Sequence, residues 1–138
     1  MHQEVESGKL KVENSESAIS MKSYAFAIRI VNAFKYLTTS QKEYVLSKQL
    51  LRSGTAIGAL NREAIHAQSK ADFLNKMNIA LKEAYETEYW LQLLYDTQYL
   101  DKKTYESINA DCRELVALLT STVKTVKTNI KIKEKGKM

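Results

Sequence analysis

Residues 46–64 read LSKQLLRSGTAIGALNREA, and this stretch decides the fold. Apolar and small residues recur in it at alternating steps of four and three positions, the spacing that lines the seam between packed α-helices. They are Leu46, Leu50, Ser53, Ile57, Leu60 and Ala64. Gly54 and Gly58 lie beside the seam, where each glycine costs a helix about 1 kcal/mol relative to alanine. Close approach by a neighbouring helix would compensate for that cost, and a local break in the helix is the alternative.

Helical periodicity continues on both sides of this stretch and predicts four amphipathic helices. They cover about residues 16–37, 40–67, 70–97 and 102–129. The inward stripe of the first helix is predicted to be Tyr24, Ala27, Ile28, Val31 and Phe34, and that of the fourth Tyr105, Ile108, Cys112, Leu115, Leu119, Thr122 and Val126. No β-strand pattern competes with this helical pattern. We therefore expect an all-α fold, an antiparallel up-down-up-down four-helix bundle with short polar links.

Polar residues are placed to cap the helices after the first. Ser40 and Glu43 form a capping box, in which the serine oxygen accepts a backbone N–H and the glutamate reaches back to the serine N–H. Ser69, with Asp72 three positions on, is a weaker cap before the third helix, and Asp101 precedes the fourth. These residues predict where three of the helices begin.

Length and composition bound the class of protein. The chain has 138 residues, no proline and a net charge of +5, which suits one helical domain. The single cysteine, Cys112, excludes an internal disulfide. No apolar run approaches the roughly 18 residues of a membrane span, and the polar start of the chain lacks the apolar middle of a signal peptide. We expect a cytoplasmic protein without a membrane partner.

The two ends of the chain differ in pattern from the bundle. Residues 1–15 have weak periodicity and are predicted to be a flexible leader, residues 16–130 form the bundle, and residues 131–138 are a basic C-terminal tail. After Leu115 the only acidic residue is Glu134. Basic charge is therefore concentrated towards the end of the fourth helix.

Catalytic and metal-binding patterns are nearly missing from the sequence. Glu63 and His66 form one Glu-x-x-His pair, whereas di-metal sites in helical bundles use two such pairs. Cys112 falls on an inward stripe, where a thiol usually acts as a small inert apolar group. We expect no enzymatic activity, no cofactor and no metal, and a metal-dependent enzyme built on Glu63 and His66 is the alternative.

Two sets of charged residues are candidates for structural or binding roles. Glu88 falls within the apolar stripe of the third helix, between Ala84 and Leu91. An unpaired buried charge costs several kcal/mol, and Arg52 and Arg62 are the candidate partners. The candidate ion-pair set is Arg52, Arg62, Glu63, Glu83 and Glu88. The candidate RNA-binding set, which would contact phosphates through charge alone, is Lys48, Arg52, Arg62, Lys70, Lys124, Lys127 and Lys131. A solvated, solubilising face is the alternative for the second set, and a ligand or partner contact for the first.

Aromatic residues are dense on the third helix and at its exit. They are Tyr85, Tyr89, Trp90, Tyr95 and Tyr99. Because they cannot all face one bundle core, some are expected at a subunit interface, where tyrosine and tryptophan are enriched.

The middle of the chain resembles a known family. The resemblance rests on LSKQLLRSGTAIGA at residues 46–59, REA at 62–64, SKADF at 69–73, ALKEA at 80–84 and EYWL at 88–91 with Leu94. These segments are similar to the four-helix bundle proteins encoded by intervening sequences inside bacterial large-subunit ribosomal RNA genes. The similarity covers about residues 21–126, and the motifs are specific as a set.

The resemblance implies a non-enzymatic four-helix bundle that forms a homo-oligomer, with a pentamer as the expected form. The accessory protein of diversity-generating retroelements is similar, and it is a basic pentamer that works with a reverse transcriptase and its RNA. Two functions follow as hypotheses. The first is an oligomer that binds RNA or a ribonucleoprotein through basic residues. The second is a protein–protein scaffold or accessory subunit with no affinity for nucleic acid.

Overall fold

The computed structural model describes the backbone of residues 2–136 and the side chains of residues 16–136. Four helices follow one another: α1 (His2–Thr39), α2 (Leu46–Ile65), α3 (Lys70–Asp96) and α4 (Lys102–Gly136). Each helix packs on the next and α4 packs on α1, while no Cα atoms of the diagonal pairs α1–α3 and α2–α4 lie within 8 Å of each other among the described residues. The predicted all-α, up-down-up-down bundle is confirmed.

The seams predicted on α2 and α4 face the core. On α2, Leu50, Ser53, Ile57 and Ala64 are buried, with Leu46 and Leu60 packed against the core. On α4 the predicted stripe from Ile108 to Val126 is buried at every position. The alternation of three and four predicted both faces because neither helix carries a competing apolar stripe.

The inward face of α1 differs from the predicted one. The buried residues are Ile19, Ser23, Phe26, Ile30, Ala33 and Leu37. Tyr24 and Ile28, both predicted to face inward, are 62% and 49% exposed, so that part of the prediction is wrong. The reason is that α1 carries apolar residues around most of its circumference. Two stripes with helical spacing are then available, and only packing against α2 and α4 selects between them.

Capping of the helices is correctly predicted at two of three places. The Ser69 hydroxyl accepts the Asp72 N–H at 3.0 Å, and the Asp101 carboxylate accepts the Thr104 N–H at 2.7 Å. The capping box at Ser40 is wrong, because α1 continues to Thr39 and α2 begins only at Leu46. Glu43 caps α2 in a different way: its carboxylate accepts three successive backbone N–H groups.

Both outer helices extend beyond the predicted bounds. Helix α1 begins at His2 and α4 ends at Gly136, where the sequence predicts helices over about 16–37 and 102–129. The buried residues of α4 end at Val126, so its last turns continue past the core. The predicted leader covers residues 1–15, whose side chains lie outside the described residues, so its flexibility stays a prediction. The separate basic tail at residues 131–138 also stays a prediction.

Gly54 and Gly58 lie in an unbroken helix, which confirms close approach in place of a helix break. A Cβ on Gly54 would lie 2.7 Å from Cγ1 of Ile30, a fully buried side chain. A Cβ on Gly58 would lie 3.4 Å from the Ser23 carbonyl oxygen, an ordinary contact. The tight contact between α1 and α2 is therefore at Gly54.

We expect alanine at these two glycines to change stability in opposite directions. Gly54→Ala should lower the free energy of unfolding by about 1–2 kcal/mol, because overpacking costs more than the helix propensity that alanine adds. Gly58→Ala should raise it by up to about 1 kcal/mol through propensity alone. Urea unfolding of both variants measures the difference, and a stabilising Gly54→Ala would contradict the packing.

Candidate nucleic-acid interface

Four lysines form a row along the outer face of α4. They are Lys124, Lys127, Lys131 and Lys135, separated by steps of three, four and four residues. Positions with this spacing share one side of a helix, and all four are exposed. The opposite side of α4 carries the buried Leu119, Thr122 and Val126. We call these four residues the lysine row.

The lysine row has few acidic neighbours on its own helix. Glu134 is the only acidic residue after Glu114. At a rise of about 1.5 Å per residue, the row extends over roughly 16 Å. Lys124, Lys127 and Lys131 belong to the predicted RNA-binding set, and Lys135 was missed, although it continues the same spacing. Because α4 remains helical to Gly136, the row is a continuous cationic surface.

The other predicted RNA-binding residues fall into two groups. Arg62 lies in the last turn of α2 and Lys70 begins α3, so both are at the end of the bundle where α4 finishes. Lys48 lies in the first turn of α2, at the opposite end. The structure therefore brings Arg62 and Lys70 to the same end as the lysine row and leaves Lys48 apart.

Arg52 is engaged with acidic residues of α3. Its guanidinium donates to Oε1 of Glu86 at 2.6 Å and lies 3.6 Å from Oε1 of Glu83. The hydrogen bond to Glu86 and the charges of Glu86 and Glu83 raise the pKa of Arg52. Glu86 also accepts the indole N–H of Trp90 at 3.2 Å. Although burial opposes it, donation from Trp90 and Arg52 lowers the pKa of Glu86. Arg52 therefore links α2 to α3 through these ion pairs. Because its guanidinium is already engaged, it is poorly placed to bind a phosphate.

Glu88 pairs with a residue that the sequence did not indicate. Its carboxylate lies 3.6 Å from Nε of Arg113 on α4, so the predicted pairing with Arg52 or Arg62 is wrong. Glu88 lies on the α4 side of α3, and Arg52 reaches the opposite side. Within the described residues, Arg62 and Glu63 take part in no ion pair within 4.0 Å.

Two further ion pairs join α1 to α4. Arg29 donates to Asp111 at 2.6 Å and to the carbonyl oxygen and hydroxyl of Ser107. Lys22 pairs with Glu114. None of these pairs was predicted, because a contact between the first and last helices leaves no local spacing to detect. These pairs engage Lys22 and Arg29, whereas the lysine row takes part in no ion pair within 4.0 Å among residues 16–136.

Groups with catalytic chemistry are few in the part of the chain that the structure describes. Cys112 is buried, its thiol contacts the Ala84 carbonyl oxygen at 3.4 Å, and burial raises the pKa of this thiol to about 12. No cluster of three or more His, Cys, Asp or Glu residues is close enough to hold a metal ion among residues 16–136. No described helix is long and apolar enough to cross a membrane.

Some of the aromatic residues predicted at an interface are at the surface. Tyr85 and Tyr89 are 53% and 59% exposed on α3. Trp90 is half-buried, and Tyr95 is half-buried and stacks on Tyr105 with ring centroids 4.6 Å apart. On α1 an exposed apolar row, spaced three and four residues apart, runs from Met21 through Tyr24 to Ile28.

Comparison with known proteins places these features in context. The sequence profile of the family described as "23S rRNA-intervening sequence protein" matches residues 15–121. A crystal structure of a protein of unknown function from the S23 ribosomal protein family of Bacteroides thetaiotaomicron VPI-5482 is similar at 58% sequence identity, with a TM-score of 0.79. The match covers 80% of this chain and 98% of that one. Among functionally curated proteins, none matches this chain significantly.

Proposed function

The chain belongs to the family of 23S rRNA-intervening sequence proteins, and from this premise we propose that it is a non-enzymatic homo-oligomer that binds RNA through the lysine row of α4. The observation that supports RNA binding is the row itself, four exposed lysines on one side of a helix that continues past the core. Arg62 and Lys70, at the same end of the bundle, extend the basic surface.

The geometry of the lysine row suits a phosphate backbone. Successive lysines are about 4.5–6 Å apart along the helix axis, and lysine binds phosphate as a point charge without a fixed geometry. The row offers no aromatic or amide side chains to read base edges. Recognition by charge positions a protein on nucleic acid without selecting sequence, so the proposed binding is non-specific and depends on salt.

Self-association would strengthen this binding. In a homo-oligomer, for which the family resemblance favours a pentamer, the lysine row occurs once in each subunit. Several weak phosphate contacts on one assembly act at a high effective concentration. We therefore propose that the oligomer is the RNA-binding unit. We also propose that the protein acts in the cytoplasm and catalyses no reaction.

Removing charge from the lysine row should weaken RNA binding. In Lys124→Gln/Lys127→Gln/Lys131→Gln, affinity for a short single-stranded RNA should fall about tenfold to a hundredfold at moderate salt. The slope of log affinity against log salt should decrease by about 2, because three phosphate contacts are lost. Fluorescence anisotropy between 50 and 200 mM salt measures both quantities, with a hairpin RNA as a second probe.

The matched control removes three lysines from the other end of the bundle. Lys35→Gln/Lys102→Gln/Lys103→Gln lowers the net charge equally, and all three positions are exposed. An equal loss of affinity in the control would mean that RNA binding depends on the total charge of the protein and not on the lysine row. If the unmodified protein has no RNA affinity at low salt, the RNA proposal fails. The scaffold function, which the exposed apolar side chains favour, would then stand alone.

A further inference from the structure

A groove lies between α1 and α2 on the outer surface of the bundle. Its volume is about 630 Å³. The small residues Ala27, Gly58 and Ala59 line it together with the charged Arg62 and Glu63. Tyr24 and Ile65 are exposed along it. We call this feature the α1–α2 groove. Met21 and Ile28 continue the exposed apolar row of α1 beside it.

The groove also holds an unsatisfied polar atom. Asn61 is buried and donates from Nδ2 to the Ser20 hydroxyl at 2.9 Å. Its Oδ1 accepts no hydrogen bond from any described residue. A buried acceptor without a donor costs about 1–3 kcal/mol. A donor on a side chain that enters the groove would remove this cost.

A second apolar surface lies on α3, which packs on α2 and not on α1. Tyr85 and Tyr89 are one turn apart on α3 and project from the bundle, with the Tyr89 ring edge-on to Trp90 at 5.0 Å. We call these two residues the tyrosine pair. The ion pairs Arg52–Glu86 and Glu88–Arg113 lie on its two sides. An aromatic centre within a polar rim is the usual anatomy of a protein interface.

We propose that the tyrosine pair of one copy docks into the α1–α2 groove of a second copy. The two tyrosines are about 6 Å apart along α3, and the groove runs about 15 Å from Thr55 to Ile65, so both rings fit along it. A fully buried aromatic side chain covers about 150–250 Å², and each tyrosine is still more than half exposed. Stable interfaces bury about 800 Å² per partner, and the apolar row of α1 adds to the area that the two rings would bury.

The contact is heterologous, because one face is a projection and the other a groove. The tyrosine pair projects from α3 between its ion pairs to α2 and α4, and the groove lies between α1 and α2, so a chain can use both at once. Such contacts close into a ring or extend as a filament. This inference rests on the homo-oligomer proposed above and adds which surfaces join its subunits. The lysine row lies on α4, outside both surfaces, whereas Arg62 lines the groove and would contact the docked copy in place of RNA.

Two variants that each block one face test the proposal. Ala59→Glu places a charge in the groove, and Tyr85→Glu/Tyr89→Glu places charges at the tyrosine pair; all three positions are exposed. Light scattering should give a multiple of 15.8 kDa for the unmodified protein and about 15.8 kDa for each variant. An equimolar mixture of the two variants should form dimers of about twice that mass, because one intact groove meets one intact tyrosine pair and no further contact follows.

The control and the contrary outcomes separate the alternatives. Ala110→Glu adds the same charge at an exposed position of α4 and should keep the unmodified mass, and circular dichroism should show all variants folded. If the unmodified protein is oligomeric and either variant keeps its mass, the assigned faces are wrong while the homo-oligomer stands. If the mixture stays monomeric, the heterologous pairing is wrong. A monomeric unmodified protein overturns both this inference and the proposed homo-oligomer, whereas RNA binding is measured separately.

Discussion

Phe26→Ala should lower the free energy of unfolding by about 3–5 kcal/mol, the largest effect expected of a single core truncation here. Phe26 is 1% exposed and lies on α1 between the buried Ser23 and Ile30. Its removal would leave a cavity where α1 meets the rest of the bundle, and close-packed neighbours collapse only partly into such a space. Urea unfolding followed by circular dichroism measures the change.

Tyr24→Ala is the matched control, two positions away on the same helix. Tyr24 is 62% exposed, so its truncation should change the stability of the isolated chain by no more than about 0.5 kcal/mol. Because Tyr24 lines the proposed docking groove, unfolding is measured at several protein concentrations and extrapolated to dilution. If Tyr24→Ala lowered the free energy of unfolding more than Phe26→Ala, the inward face of α1 would be the one predicted from the sequence and the observed face would be wrong.

Glu43→Gln should cost about 2–3 kcal/mol at neutral pH. One carboxylate oxygen of Glu43 accepts the N–H groups of Val45 and Leu46 at 3.0 and 2.8 Å, and the other accepts that of Ser47 at 2.6 Å. An amide keeps one acceptor oxygen and places a donor against the Ser47 N–H. The first turn of α2 would then lose both a hydrogen bond and the negative charge that its dipole favours.

The cost of Glu43→Gln should depend on pH. Burial raises the pKa of Glu43, but the backbone N–H groups of Leu46, Ser47 and Val45 outweigh it and hold this pKa below the ordinary value of 4.5. A carboxyl group with a lowered pKa stabilises the fold fully above its unfolded pKa and loses that contribution as pH falls through the folded value. The difference between the unmodified protein and Glu43→Gln should therefore be constant near neutrality and shrink below about pH 4.5.

Ser69→Ala provides the control for this titration. Ser69 caps α3 through one hydrogen bond, so its loss should cost about 1 kcal/mol, and a serine does not titrate in this range. A cost for Glu43→Gln that stays unchanged down to pH 3 would mean that the carboxylate charge makes no contribution to the cap.

The candidate site could be predicted only in part from the sequence. Lys124, Lys127 and Lys131 were found because a helical row of like charges is a local pattern. Arg52 was included on charge alone, and the structure shows it engaged with Glu86. Arg113 was missed as the partner of Glu88, since the two residues are on different helices and their distance depends on how α3 and α4 pack.

The sequence alone determined the number of helices, the inward faces of α2 and α4, and the caps at Ser69 and Asp101. Each of these depends on residues within a turn or two of each other, so the helical repeat and the chemistry of the first turn are sufficient. The tertiary structure decided the register of α1, the start of α2 at Leu46, the partners of Arg29, Arg52 and Glu88, and which tyrosines remain outside. The physical reason is that α1 offers more than one apolar face and that ion pairs between helices depend on the packing of the whole bundle.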